Sequence, residues 1–274
     1  MPGSALPGPA VRPALALAPT AVTLLAAVLL LLHGPVLQLP GYNDFADRAM
    51  LIGVANARDV LSNLAIGAVG LWGLLRLWPR RAEPAQMRGW SGYALFMVAL
   101  VLTAAGSAYY HLAPDNSRLV WDRLPIALSC AGLLAGVRAE ARAGAVAGRD
   151  ALLYSVAGIA SVAWWHYTDA PPGAGDLRPY LLLQGLPLVL VPLWQWTTAT
   201  RSSDRLGFAV AIVLYLASKA AEFRDPQLYA AFGWISGHAL KHLLISLAAL
   251  AIVTALLARP RAAAAVSAEP RAAC

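Results

Sequence analysis

Eight long apolar runs dominate this sequence, and they constrain its fold more than any other feature. Each run is separated from the next by a short segment that carries charges, glycine or proline. A helix of about 20 apolar residues can cross a bilayer, because it satisfies its backbone hydrogen bonds internally. The runs therefore predict an all-α integral membrane protein with eight spans, at 20–39, 59–78, 91–111, 120–137, 151–167, 180–198, 207–221 and 235–257.

The composition favours a membrane protein and argues against several other classes. Apolar residues make up 59% of the chain and charged residues only 13%, a balance too apolar for a soluble α/β domain. The two cysteines cannot supply a disulfide framework or a thiolate zinc site, so histidine and carboxylate groups must hold any metal. The net charge of +7 comes from arginines scattered between the apolar runs, which argues against a nucleic-acid partner. No protein partner is indicated.

The arginines also predict how the chain is oriented in the membrane. With the N-terminus in the cytoplasm, the cytoplasmic segments hold twelve arginines and the outer segments five. This asymmetry has the sign of the positive-inside rule, and it places both termini in the cytoplasm. Residues 20–39 could instead be a signal peptide, but they lack a convincing small-residue cleavage site, which favours a retained helix. The bias toward alanine, glycine and arginine suggests a bacterial inner membrane.

Ionisable residues collect at the predicted outer ends of several spans. The third span ends with Ser107 and His111, the fourth begins with Asp122, and the eighth begins with His238 and His242. Residues four apart lie on one face of a helix, so His238 and His242 can turn both imidazoles toward one ion. Three histidines and a carboxylate from three helices match a catalytic zinc site, in which three protein ligands leave one position open. The prediction is a metal site near the outer face.

Further polar residues lie at the same predicted depth in the second and seventh spans. They are candidates for the groups that orient metal-bound histidines: Asp59, Ser62, Asn63, Lys219 and Glu222.

Plainer explanations of these residues remain open. Asp122 and Arg123 can form an interfacial ion pair, and Ser107 can simply let two helices approach closely. Lys241, between the two histidines of the last span, is expected to face another way and to snorkel or pair with an acid. His166, within the segment WWHYTD, is expected to belong to an aromatic belt at the membrane surface.

The combined pattern resembles the alkaline ceramidase family, within the CREST superfamily of seven-helix membrane hydrolases. The resemblance rests on S-x-x-x-H at Ser107 to His111, on Asp122 eleven residues later, and on H-x-x-x-H at His238 to His242. It also includes the adjacent Ser62 and Asn63 and extends from about residue 42 to residue 257.

The resemblance implies a seven-helix ceramidase-like membrane domain at 40–258, preceded by one extra transmembrane helix at 20–39. The flanking segments 1–19 and 259–274 are predicted to be disordered tails, the first because of its many prolines. The domain organisation expected from the sequence is therefore a single membrane domain with an N-terminal helical extension.

The resemblance further implies a zinc ion held by His111, His238 and His242, in an amidase that hydrolyses the N-acyl bond of ceramide or a related lipid. The products would be a free fatty acid and a sphingoid-type amine. Zinc would make its bound water nucleophilic near neutral pH. Asp122 would take the proton from that water and pass it to the leaving nitrogen, and Ser107 would donate a hydrogen bond to the oxyanion.

The family also binds calcium through acidic residues ahead of its first core helix. The corresponding region here offers Asp44, Asp47, Asn56 and Asp59, a set without the glutamate of the family pattern. Two other functions stay open at this point. One is a lipid-binding, receptor-like protein with a structural zinc. The other is a proton-coupled transporter in which the histidines and Asp122 form a relay.

Overall fold

Helices make up nearly all the regular structure of this protein. The computed structural model describes residues 17–261, in which one isolated bridge joins Leu51 to Val54 and no strand forms. The predicted all-α architecture is confirmed. The helices are α1 Ala18–His33, α2 Ala57–Leu61, α3 Asn63–Leu77, α4 Trp90–Leu112, α5 Asn116–Ala141, α6 Ala147–Thr168, α7 Arg178–Thr197, α8 Ser202–Phe223, α9 Asp225–Phe232 and α10 Gly237–Leu257.

Five segments are long and apolar enough to cross a membrane, and they coincide with five of the eight predicted spans. The other three predicted spans also fall on helices, but α1 has only 16 residues, and α6 and α7 do not combine sufficient length with sufficient apolarity. The number of spans that this criterion supports in the described residues is therefore five, at 57–80, 90–112, 116–141, 202–223 and 237–257.

The first predicted span is longer than the helix that forms there. α1 ends at His33, because Gly34 adopts a φ of 85° and Pro35 follows it. Proline has no backbone N–H and disfavours a helical conformation in the residue before it. The segment after α1 instead packs against the bundle, where the N–H of Leu177 donates to the carbonyl of Val36 at 2.8 Å.

The predicted tails fall mostly on residues 1–16 and 262–274, which lie outside the described part of the chain. Their inner ends are ordered, because residues 18 and 19 belong to α1. At the other end Arg259 is buried, and its guanidinium pairs with Glu140 of α5 at 2.6 Å and Asp204 of α8 at 3.0 Å. These ion pairs fix the C-terminal end of α10 along the bundle.

Glycine residues bring α4 and α5 into backbone contact at both ends of this helix pair. A Cβ on Gly92 would overlap the backbone of Gly136, and a Cβ on Gly106 would overlap the carbonyl oxygen of Trp121. Small residues permit such close approach between helices in a bilayer. Because Ser107 follows Gly106 and Asp122 follows Trp121, the second contact places those two side chains together.

We expect the substitution Gly106→Ala to destabilise the protein. The added methyl group meets backbone atoms of α5, so the two helices must separate, and overpacking of this kind costs about 1–3 kcal/mol. The measurement is thermal unfolding of the purified protein in detergent.

Gly185→Ala in α7 is the matched control, since a Cβ there meets nothing within 4 Å. Alanine also has the higher helix propensity, so this variant is expected to be neutral or slightly more stable. Equal destabilisation by both substitutions would contradict the role given to Gly106.

Candidate metal centre

Three histidines meet where the end of α4 lies beside the start of α10. His111, His238 and His242 are only 1–3% exposed. Each offers one ring nitrogen, and these three atoms lie within 4.8 Å of one another. Across residues 17–261 they form the one group of three or more histidine, cysteine or acidic side chains with such spacing. The three buried histidines could therefore hold a metal ion.

The distances within the cluster fit a shared metal. The Nε2 atoms of His111 and His238 are 3.1 Å apart, and the three ring centroids are separated by 4.6 to 5.2 Å. Two nitrogens bound to one tetrahedral metal at about 2.05 Å are separated by about 3.3 Å, close to the distance here. Imidazole ligands suit Zn²⁺, Cu²⁺, Fe²⁺ and Ni²⁺ alike, so the donors define a class of metals and not one ion.

Ser62 orients the imidazole of His242. Its Oγ lies 2.8 Å from His242 Nδ1 and donates its proton to the carbonyl of Asp59 at 3.1 Å. Because the hydroxyl has only one proton, it must accept the hydrogen bond from Nδ1–H. Nε2 of His242 then keeps its lone pair for a metal. The neighbouring Asn63 also donates to the Asp59 carbonyl, at 2.8 Å, and so supports the same turn.

Asp59 acts on the start of α10 and not on a histidine ring. Its carboxylate accepts a hydrogen bond of 2.6 Å from Ser236 Oγ, which in turn accepts from the backbone N–H of Ala239 at 2.8 Å. Ser236 is therefore the N-cap of the helix that carries two of the histidines. Ser236 was not predicted from the sequence, although a serine just ahead of an apolar helical segment is a recognised N-cap signal.

Asp225 and Phe45 complete the surroundings of the histidines, and both were missed from the sequence. One carboxylate oxygen of Asp225 accepts from the N–H of His238 and the other from the N–H of Ala46, each at 2.8 Å. The neighbouring Phe45 ring then lies 4.3 Å from His238 and 4.7 Å from His111, measured between centroids. Phe45 thus covers two imidazoles. Neither a single aspartate nor a single aromatic residue in a loop carries a sequence signal for this role.

An apolar cavity of about 180 Å³ extends from His242 into the helix bundle. Ser107, Asp122 and His242 line its polar end, and side chains of α3, α4, α5, α7, α8 and α10 line the rest. Ser107 and Asp122 are both buried. His242 is thus the histidine of the cluster that faces the cavity, beside a hydroxyl and a carboxylate.

Arg123 makes other contacts in place of the ion pair with Asp122 that the sequence suggested. The guanidinium carbon of Arg123 lies 3.9 Å from the ring centroid of Trp165, and its NH2 donates to Gln38 at 2.9 Å. Stacking on an aromatic ring is a favourable environment for a buried guanidinium. Asp122 is thereby left to face the cavity.

Glu222 joins the two lysines beside the histidines. It accepts from Lys219 at 2.7 Å and from Lys241 at 2.8 Å. Lys241 therefore pairs with an acid as expected, but it does not face away, because its Nζ lies 3.1 Å from His238 Nε2. A metal on that nitrogen would use the same lone pair, and Lys241 would then depend on Glu222 alone.

The four residues proposed for calcium each have other partners. The carboxylates of Asp44 and Asp47 each pair with an arginine, at 3.5 and 3.0 Å. The amide of Asn56 donates to the carbonyl of His111, and Asp59 accepts from the serine that caps α10. In the described residues the acidic side chains form no group of three with the spacing of the histidine cluster, and the calcium site stays a prediction.

Comparisons with known proteins add no assignment. Searches of protein-family models, of curated proteins and of solved structures found no significant match to this chain. The resemblance of the sequence motifs to the alkaline ceramidase family therefore stays a prediction.

We expect Ser62→Ala to weaken metal binding by about 10- to 100-fold, because groups that orient a ligating histidine typically contribute this much to affinity. The measurement is titration of the purified protein with Co²⁺ or Zn²⁺ against a chelating dye.

Ser161→Ala is the matched control, since Ser161 is buried and its hydroxyl bonds only to its own helix, at the carbonyl of Gly158. Unchanged affinity in Ser62→Ala, or an equal loss in Ser161→Ala, would contradict the orienting role of Ser62.

Proposed function

We propose that this chain is a membrane-embedded, zinc-dependent amidase that hydrolyses the N-acyl bond of ceramide or a related lipid amide. One observation carries the proposal: three buried histidines have metal-ligand spacing, and one of them, His242, lines the polar end of an apolar cavity that also contains a carboxylate. The motif resemblance to alkaline ceramidases supports the same reaction. Water would add across the C–N bond, giving a fatty acid and a free amine.

The membrane topology is part of this proposal. The seven core helices would be the continuous segment 57–80 together with α4, α5, α6, α7, α8 and α10, and α1 would add an eighth span. The metal centre would then lie near the outer face of a bacterial inner membrane, with both termini in the cytoplasm. The alternation of arginine-rich and arginine-poor segments supports this orientation.

His111, His238 and His242 would hold the metal. When bound, zinc supplies Lewis-acid chemistry, which polarises a carbonyl oxygen and makes water acidic enough to react near neutral pH. Asp122 would accept the proton of the attacking water and deliver it to the departing nitrogen. Ser107 lines the same polar end of the cavity as Asp122, and its hydroxyl would donate a hydrogen bond to the oxyanion.

The cavity suits the acyl chain of a lipid. Its wall follows α10 from His242 to Ile252, a distance of about 15 Å at the rise of an α-helix. Apart from its polar end this wall is mostly apolar, with contributions from Leu100, Val191 and Phe208. An acyl chain in the cavity would leave its carbonyl group beside the histidines and Asp122.

We expect about one zinc per chain in the purified protein and release of fatty acid from ceramide or phytoceramide. His238→Ala removes one of three ligands, so it is expected to lose both the metal and the activity. Metal analysis and a fatty-acid assay on the same preparations are the measurements.

His166→Ala is the matched control, because His166 is exposed and belongs to α6, away from the cluster. It is expected to keep metal and activity. Retention of both in His238→Ala would refute the site, and absence of hydrolysis by wild type across a panel of lipid amides would refute the enzyme.

We expect Asp122→Asn to lower the rate of hydrolysis by about 10²- to 10⁴-fold with zinc content unchanged, because the amide cannot act as a general base. Asp115→Asn, in the N-cap of the same helix, is the control, since asparagine caps a helix as well as aspartate. Loss of zinc in Asp122→Asn would instead make this carboxylate a ligand.

A proton-coupled transporter is the second candidate, and the contact of Lys241 with His238 favours it. Nζ and Nε2 are 3.1 Å apart, which suits proton transfer between the two groups. This function predicts protein without bound metal and pH-driven flux in liposomes. A lipid-binding receptor with a structural zinc would keep the metal but release no fatty acid, so the assays above separate the three functions.

A further inference from the structure

The two lysines of this chain lie side by side in the wall of the cavity. Of 21 lysines and arginines, Lys219 and Lys241 are the only lysines in the sequence. Both line the cavity, one from α8 and one from α10, and both bind Glu222. An ammonium is a compact charge with three donors, and one carboxylate uses only part of that capacity.

Donor capacity and charge at this end of the cavity both leave room for an anion. Glu222 is the carboxylate within ion-pair distance of the two lysines in the described residues, so two ammonium groups share one acceptor group. Asp122 also lines the cavity, which gives the wall two positive and two negative charges without a metal. A divalent metal on three neutral imidazoles would make the site net positive. Because a charge in an apolar wall is costly unless it is paired, the metal-bound site would favour a ligand with one negative charge.

The position of the lysines predicts where the negative charge of a ligand would lie. Lys241 Nζ is 3.1 Å from His238 Nε2, at the histidine end of the cavity, whereas the apolar wall extends away from it. An anionic group bound here would be only a few atoms from the bond that reacts at the histidines. A carboxylate on the carbon next to the amide nitrogen satisfies this placement. The hydroxyl groups of ceramide are neutral, so they would form no ion pair with the lysines.

We propose that the substrate is an anionic lipid amide, an N-acyl amino acid, whose carboxylate binds the Lys219–Glu222–Lys241 cluster. This inference rests on the proposed amidase function and specifies its substrate. Water adds across the C–N bond, the acyl carbon gains oxygen to become the fatty acid, and the nitrogen gains a proton to leave as the amino acid. The acyl chain occupies the apolar cavity throughout.

The test compares two ligands that share an acyl chain and an amide but differ in charge. N-palmitoylglycine and N-palmitoylethanolamine are titrated into the full-length, zinc-loaded protein in a non-ionic detergent, with calorimetric measurement of affinity. The charged ligand is expected to bind about tenfold more tightly or better, the effect of one charge-assisted contact in a poorly solvated site. Equal affinities would overturn the proposal.

Substitutions at Lys219 separate charge from structure. Lys219→Met removes one of the two ammonium groups and leaves Lys241 paired with Glu222, so it is expected to abolish the preference for the charged ligand. Lys219→Arg keeps a positive charge at this position and is expected to retain that preference. Zinc content and thermal unfolding identify correctly folded variants. A preference that persists in folded Lys219→Met would assign carboxylate recognition to other groups and overturn the proposal.

Lysine labelling gives a second readout that does not depend on activity. Because the sequence has two lysines, an amine-reactive ester followed by peptide mass spectrometry reports on this cavity directly. N-palmitoylglycine is expected to protect Lys219 and Lys241, and N-palmitoylethanolamine is not. Protection and preference without hydrolysis of any amide would retain the anion site and refute the amidase. Hydrolysis of ceramide without a preference for the charged ligand would support the amidase and overturn the anion site.

Discussion

The histidine end of the bundle is organised by the cost of placing ionisable groups where water is scarce. A buried polar or charged group is costly without a partner in the protein, and most side chains there find one through a short chain of contacts. His242 is hydrogen-bonded to Ser62, and Ser62 donates to the carbonyl of Asp59. The carboxylate of Asp59 accepts from the serine that caps α10. The three histidines are thus held by helix starts and ends as much as by side chains.

The helix packing supplies the second part of this preorganisation. Gly106 lets α4 contact the backbone of α5, and this contact, not a flexible side chain, determines where Ser107 meets Asp122. At the far end of the bundle, Arg259 fixes the end of α10 through two carboxylates. The ion pairs of Arg259 therefore hold α10 about 30 Å of helix away from His238, given the rise per residue of an α-helix. The glycines hold α4 against α5.

Local sequence periodicity was sufficient for some of these features and insufficient for others. Apolar runs located the long helices, and the i, i+4 spacing correctly brought His238 and His242 to one face. The predicted direction of Lys241 was wrong because helical spacing was applied incompletely. Lys241 follows His238 by three residues, and i, i+3 positions also share a face of a helix. The length of α1 was overestimated because hydropathy does not register the helix-ending effect of Gly34 and Pro35. Asp225 and Phe45 could not be found, since their contacts join segments far apart in the chain.

The double hydrogen bond of Asp225 couples the cover of the histidines to their scaffold. One oxygen holds the loop that presents Phe45, and the other holds the first turn of α10 at His238. A movement that separates Phe45 from the imidazoles would therefore also displace the carboxylate of Asp225. That carboxylate holds the start of α10, the helix that carries His238 and His242. Opening toward bulk water would loosen the donor set, whereas access through the apolar cavity would leave it intact. Under the proposed lipid-amidase function, entry of a ligand along the apolar cavity would therefore disturb the histidines less than entry from solution.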